Sequence, residues 1–425
     1  MTNPSSSPQK TLLHSLLGAL GRILGVIAII LLTLPVAILP LFTATPMWAW
    51  LVLALSSVSL LIYTARMRNV KRRLGYSLAG MAAIAVLAVL ASQVFAATPP
   101  ILGEDGRPLP GSIAVLEQVE LNGSKQWITI RGEDAAKPVL LNLGMGGPGG
   151  GGFATRTLFE PLEKDFVVVS WDEPGTGKSI NAVPFSRLNR KRFVEDAHAL
   201  TQYLQQRFDQ QKIYVYGVSW TSILGVWLVQ EYPEDYYAYI GNGQMVNTTE
   251  NDVMGYEMVL EHLQEKGDAA TLGELQRNGP PPYRGDDMLD RYVAYMDVQN
   301  EMMDTLPYSV VVPLVPFFAP EYGLVDKVNH TIGLMRSFET VYPQLEDLDF
   351  TTQATHFEIP VYIFAGRNDI NAMYTLVEEY YNLLEAPHKQ LIWLEGGHGL
   401  DGENLPQFVE VMVNHVLKDT WPGNP

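Results

Sequence analysis

A serine in the frame Gly217-Val218-Ser219-Trp220-Thr221 stands between a short β-branched and aromatic run, 213–216, and an apolar helical pattern, 222–231. A strand that turns sharply into a helix lifts a serine at the turn above the sheet, where its hydroxyl can attack a carbonyl. That hydroxyl is a weak nucleophile until a base takes its proton, and the base needs a carboxylate to hold its orientation and tautomer. On a sheet of this kind the partners follow in the order serine, acid, histidine, and the chain supplies them at strand ends. Asp369 closes Ala365-Gly366-Arg367-Asn368-Asp369 after the run 361–364, and His398 lies in Glu395-Gly396-Gly397-His398-Gly399 after the run 390–394. Of the eight histidines, His398 is the one at a strand end with glycine on both sides. His14 lies in an apolar N-terminal segment, His198, His262 and His415 in helical patterns, and His330, His356 and His388 in less regular stretches. Glu395 and Asp401 rival Asp369 by proximity, and read as loop solvation or a helix cap.

The run 139–143 ends in Gly144-Met145-Gly146-Gly147-Pro148-Gly149-Gly150-Gly151-Gly152. Such a loop contributes nothing to a core, but its backbone N–H groups are unobstructed, as required where negative charge develops on a tetrahedral intermediate. The N–H groups of Gly147 and Trp220 are the expected oxyanion donors. The segment Asp172-Glu-Pro-Gly-Thr-Gly-Lys-Ser179 imitates a phosphate loop but has aspartate where that motif requires glycine, so no nucleotide is expected. Asp172 and Lys178 are expected to organise a loop beside the site.

These residues need a scaffold that brings strand ends together. Apolar or alternating runs at 115–121, 126–131, 139–143, 166–171, 213–216, 237–240, 361–364 and 390–394 read as strands, and helical patterns at 191–208, 222–231, 372–384 and 405–417 lie between several of them. The class is α/β, a mostly parallel sheet covered on both faces, with the first two runs as its antiparallel opening. From 246 to 353 the alternation stops, and Met-, Tyr- and Glu-rich helical stretches read as an inserted helical cap. The core is then 112–245 with 354–425, after a Pro- and Gly-rich linker at 98–111.

The chain carries 29 Lys and Arg against 46 Asp and Glu, but residues 1–100 hold seven of the basic residues and none of the acidic ones. The remainder therefore has a net charge of −24 and no basic stripe for nucleic acid. The chain has no cysteine, which excludes disulfides, thiolate metal sites and a thiol nucleophile. No charged residue occurs from 23 to 65, room for two membrane spans at 23–42 and 47–65, and a third fits at 74–97. The connector 66–73 carries five positive charges and is expected in the cytoplasm, as is the N-terminus with Lys10 and Arg22, leaving the acidic domain extracytoplasmic. An internal cleavable signal at 74–97 would export it equally.

Gly146-Gly147-Pro148-Gly149, the 172–179 loop and Gly217-Val218-Ser219-Trp220 together resemble the proline iminopeptidase branch of the α/β-hydrolases, whose stretches read HGGPG, DQRGxGxS and GGSWG. The likeness spans roughly 113–420. It implies an α/β-hydrolase fold, a serine triad that removes an N-terminal residue, usually proline, and cap acids that hold the substrate's ammonium. Met145 in place of histidine, Glu173-Pro174 in place of Gln-Arg and Thr221 in place of glycine depart from the pattern and bear on the proline preference. Glu250 falls roughly where the family has such a glutamate, with Glu257 and Glu261 at +7 and +11 on one helical face; a solvated acidic face is the alternative.

The chain thus reads as a membrane-anchored serine hydrolase, an aminopeptidase acting on short peptides. A membrane-proximal esterase or lipase with the same triad, or a catalytically silent receptor or scaffold, are the alternatives. No metal or organic cofactor is implied. The expected partners are a small peptide or ester and membrane lipid.

Overall fold

The computed structural model describes residues 8–423, with side chains from Leu16 onward; the expected cytoplasmic segment 1–7 and the side chains of Lys10 and His14 lie outside the described residues. The chain forms two compact units: the segment up to Ala97 with Pro320–Val325, and Thr98–Ala319 with the chain from Asp326.

In the first unit, three helices, α1 (Pro8–Phe42), α2 (Met47–Ala65) and α3 (Val70–Val94), are long and apolar enough to cross a membrane. α3 starts before the expected residue 74 because Asn69 caps it, its side chain accepting from the Arg72 N–H at 3.1 Å. Lys71, Arg72 and Arg73 therefore lie in the first turn of the helix and the connector shrinks to Arg66–Asn69. Pro40, inside α1, has no N–H to offer the carbonyl of Val36, and the Trp50 indole of α2 donates to that oxygen instead, at 3.0 Å.

The second unit is built on an eight-stranded sheet: β1 (Ile113–Leu121), β2 (Ser124–Gly132), β3 (Val139–Asn142), β4 (Val167–Asp172), β5 (Ile213–Ser219), β6 (Tyr236–Gln244), β7 (Val361–Gly366) and β8 (Lys389–Leu394), in the order β1-β2-β4-β3-β5-β6-β7-β8. β1 and β2 form a hairpin whose two loop residues, Asn122 and Gly123, both have positive φ, the conformation that suits strand twist. β2 pairs antiparallel with β4, and all later pairs are parallel. The central strands are largely apolar because both faces are covered. Along β5, Ile213 and Val215 enter one core cluster while Tyr214 and Tyr216 enter the other, the two-residue period of a strand serving two layers.

Between β6 and β7 the chain makes the helices Thr248–Lys266, Ala269–Asn278, Met288–Met302, Tyr308–Leu314 and Leu324–Val341. Several of them share a third apolar cluster, which includes Tyr256, Val259, Leu263, Tyr292 and Phe338. An antiparallel bridge between Asn247 and Asp349 closes the neck of this insertion, with Phe350 N–H donating to Val246 O at 2.9 Å.

Candidate active site

β5 runs straight into the helix Trp220–Glu231, and Ser219 at the junction has φ 54° and ψ −122°. A non-glycine residue in that region costs about 1–3 kcal/mol and persists only where packing over-determines it. The packing is visible on both sides. A Cβ on Gly217 would lie 2.2 Å from the Thr221 carbonyl oxygen, and one on Gly146 would lie 2.8 Å from the Ser219 Cβ. Thr221, which stands in place of a second glycine, is buried and stitches the turn together: its hydroxyl accepts from Val218 N–H at 2.8 Å and reaches Val218 O at 3.0 Å.

The loop after β7 folds back on Asp369, whose Oδ1 accepts from the N–H groups of Asn371 and Ala372 at 2.9 and 2.8 Å. The other oxygen, Oδ2, accepts from His398 Nδ1 at 2.9 Å. This bond fixes the imidazole tautomer with its proton on Nδ1 and leaves Nε2 as the basic nitrogen. Burial pushes the His398 pKa down, but the Asp369 charge and hydrogen bond outweigh it and hold the pKa above the ordinary histidine value. Gly243, at the end of β6 with φ +49°, makes room for the ring: a Cβ there would lie 2.8 Å from His398 Cε1 and 3.0 Å from Nδ1.

The glycine loop after β3 turns at Gly147 (φ +83°), Gly150 N–H donating to Gly147 O at 2.9 Å. Glu173 ties this loop to the elbow, accepting from Gly149 N–H at 3.3 Å and from the Trp220 indole N–H at 3.2 Å. Burial holds the Glu173 carboxyl well above the usual carboxylate range, against the lowering effect of those two bonds. A neutral glutamic acid is nearly the shape of glutamine, which the resemblance leads one to expect in this position. Asp172 accepts from Lys178 N–H at 2.9 Å, and the Lys178 ammonium makes a buried ion pair with Asp326 at 2.7 Å, so these residues organise the loop as expected.

Ser219 and His398 line one cavity of about 370 Å³, together with Gly146, Gly147 and Trp220. The carboxyl group among its described lining residues is Asp252, on the helix Thr248–Lys266. Asp252 is buried, accepts from the hydroxyls of Tyr292 and Tyr342 at 3.0 and 2.8 Å, and is pushed up to about 7 by burial. Glu250 and Glu257, expected to bind the substrate's amine, are exposed and lie outside that lining, as does Glu261. Glu250 is engaged by the helix N-cap Asn247: its N–H donates to Asn247 Oδ1 at 3.0 Å and its Oε2 accepts from Asn247 Nδ2 at 3.1 Å. The helical face shared by the three glutamates is its outer one. The inner face carries Asp252 at the head of a buried stripe through Tyr256, Val259 and Leu263, a position that marks it in the sequence as a carboxyl in an apolar row.

Cap and core meet at the acid loop. Asn251 accepts from Met373 N–H at 2.7 Å and donates to Asn371 O at 2.9 Å, while Gln299 donates to Ile370 O at 2.9 Å. The rival acids have other partners: Glu395 pairs with Arg367 at 3.0 Å, and Asp401 accepts from the N–H groups of Glu403 and Asn404. His330, expected in an irregular stretch, lies instead in the helix Leu324–Val341 and lines the cavity; burial and the nearby Lys327 charge lower its pKa to about 4.

A sheet of this order, with a serine elbow, an acid after β7, a histidine after β8 and a helical insertion after β6, defines an α/β-hydrolase fold, and the chain has that fold. The family profile described as alpha/beta hydrolase fold matches residues 137–303. The chain is 28% identical over 315 residues, covering 73% of it and 98% of the relative, to the Probable aminopeptidase YbaC of Bacillus subtilis (strain 168). Among solved structures it is similar in fold to the proline iminopeptidase of Mycobacterium smegmatis, with a TM-score of 0.53 and 17% identity over 71% of this chain and 98% of that one. A proline iminopeptidase-related protein from Thermus thermophilus aligns with a TM-score of 0.51 and 18% identity, over 73% of this chain and 99% of that one.

Proposed function

We propose that this chain is a membrane-anchored serine aminopeptidase, with Ser219 as nucleophile, His398 as base and Asp369 as the group that orients it. What carries this reading is the strained backbone of Ser219 at the wall of a cavity it shares with a histidine bonded to a buried aspartate. Ser219 Oγ attacks the carbonyl carbon next to the substrate's N-terminus as its proton passes to His398 Nε2. The N–H groups of Gly147 and Trp220 stabilise the oxyanion, and collapse expels the rest of the peptide as an amine that takes its proton from the imidazolium. Water then attacks the acyl-enzyme by the same route in reverse, releasing the amino acid.

The free ammonium of the substrate would be held by Asp252, the cavity's carboxyl, rather than by Glu250 or Glu257. A cation beside it favours the ionised carboxylate and pulls its raised pKa back down. α1 to α3 serve as the anchor, and the positive charges from Arg66 to Arg73 keep their connector in the cytoplasm and the hydrolase unit outside.

The test is labelling of the full-length protein in detergent with a fluorophosphonate probe, followed by turnover of aminoacyl amides and short-chain esters. Labelling that disappears in Ser219→Ala, with faster turnover of aminoacyl amides, supports the reading; no labelling would leave a silent scaffold. Brisk esterase turnover with inert aminoacyl amides would favour a second reading, an esterase, for which the apolar lining by Met145, Met245, Met296, Val311, Val315 and Leu334 speaks.

A further inference from the structure

Ten large apolar side chains are exposed among the described residues beyond Ala97, and eight of them fall between Leu306 and Met335. Leu306, Val310, Leu314 and Phe318 recur every four residues along the helix Tyr308–Leu314 and the chain just before and after it. Val325, Val328, Ile332 and Met335, spaced by three or four, form a second row on the helix Leu324–Val341. Scattered apolar residues on a surface need no explanation, but two such rows in one thirty-residue segment do.

Charge makes the segment stranger. Although residues 101–425 carry a net −24, the charged residues from 306 to 335 are only Glu321, Asp326 and Lys327, and all three are buried. The outer face of this segment therefore presents no charge to solvent. The opposite face of the same helices is in use, since Tyr308, Val311, Val315, His330 and Leu334 line the cavity. Between the rows, Pro320–Val325 belongs to the compact unit of α1 to α3: Leu324 N–H donates to Ser92 Oγ, in the last turn of α3, at 2.9 Å, and Leu324 packs on Val36, Leu39 and Ala88. Both rows are thus joined by only a few residues of chain to one end of the apolar helices.

We infer that the outer face of residues 306–335 is seated in the interfacial layer of the lipid bilayer that α1 to α3 cross, with the apolar rows among the acyl chains. This rests on the reading of those helices as membrane spans. Uncharged amphipathic segments bind a bilayer by their apolar area alone, and a covalent tether to spanning helices supplies the local concentration. Substrate for the cavity would then approach past side chains in contact with lipid.

The absence of cysteine makes the test direct. Single variants Leu314→Cys, Phe318→Cys and Ile332→Cys of the full-length chain carry an environment-sensitive fluorophore in phosphatidylcholine vesicles, with Leu55→Cys in α2 and Glu257→Cys on the cap's charged face as references. Nitroxide on the lipid acyl chains is expected to quench positions 314, 318 and 332 at least about threefold more than position 257, approaching position 55. Quenching at 55 with none at the three cap positions overturns the inference and leaves the anchor standing. No quenching at 55 overturns the anchor, and the inference falls with it. Disulfide-linked dimers of Phe318→Cys in vesicles, without lipid quenching, would assign the face to a second copy instead.

Discussion

Asp369 in the core and Asp252 in the cap are both buried close to this cavity, and their surroundings differ. Asp369 in the core accepts from two backbone N–H groups and from the imidazole of His398, so in the proposed mechanism the cation that forms is supplied by the protein. Asp252 in the cap accepts from two tyrosine hydroxyls, which are neutral, and its pKa climbs to about 7. A carboxylate with its partner built in orients chemistry, while one bonded only to neutral donors gains most from a cation that a ligand brings. The comparison divides the expected effects: core substitutions act on kcat, cap substitutions on KM.

The largest effect is expected at the core carboxylate. Asp369→Asn preserves shape but no longer holds His398 in the right tautomer, and kcat should fall by about 10³ to 10⁴ with little change in KM. The base works when neutral, so activity rises with pH through the His398 pKa. Because Asp369 raises that pKa, its replacement should move the acidic limb of the residual activity to lower pH. A KM effect as large as the kcat effect would break the division.

Next comes Gly243→Ala. The added methyl would lie 2.8 Å from His398 Cε1 at a residue with φ +49°, so the ring must shift by a fraction of an ångström. A misplacement of about 1 Å can cost about 100-fold, so a loss in kcat of up to about 100-fold is expected. An alanine enzyme with unchanged kcat would mean that the imidazole position has slack.

How much of this is legible in the sequence follows the same division. Ser219, Asp369 and His398 can be read because a parallel sheet delivers its functional loops at strand ends, and glycines flank His398. The strands themselves fall within a few residues of expectation, since the covered central strands are largely apolar and the outer ones mix apolar with polar residues. Gly243 is not readable, because the need for a small residue there is set by a ring that arrives from a loop far along the chain. In the cap, the spacing of Glu250, Glu257 and Glu261 reveals a common helical face, but periodicity does not say which face looks inward. The packing of Asp252, Tyr256, Val259 and Leu263 does. The start of α3 escapes the charge pattern for a related reason: charge marks where lipid ends, whereas the Asn69 cap marks where the helix begins.

The cap carboxylate gives the third prediction. Asp252→Asn should raise KM for aminoacyl amides about tenfold and leave short-chain esters unchanged, since only the former bring an ammonium. Its stability signature has a definite sign. The folded pKa, about 7, lies above the unfolded value, so the stability that protonation contributes is complete below about pH 4 and is lost as pH rises through about 7. Asparagine cannot ionise and escapes that loss. Thermal unfolding followed from pH 4 to 8 should therefore show the variant gaining on the parent protein as pH rises. Equal KM shifts for esters and amides would remove Asp252 from amine binding.

The smallest effect should come from Glu173→Gln, and its smallness is the point. Glu173 stands between the glycine loop and the residue after Ser219, bonded to Gly149 N–H and the Trp220 indole, in surroundings that favour the neutral acid. If the acid is neutral throughout the working range, the amide retains the accepting oxygen and removes no charge. Then kcat/KM should stay within about twofold and the pH profile should keep its shape. Glu173→Ala is the contrast: it orphans two buried donors next to the oxyanion site, an expected loss of about 1–3 kcal/mol divided between stability and kcat. A large drop in Glu173→Gln, or a titration that vanishes from its pH profile, would mean that Glu173 is ionised in the working enzyme. A second negative charge beside the developing oxyanion would then have to be reckoned with, and the built-in cation would no longer distinguish the core from the cap.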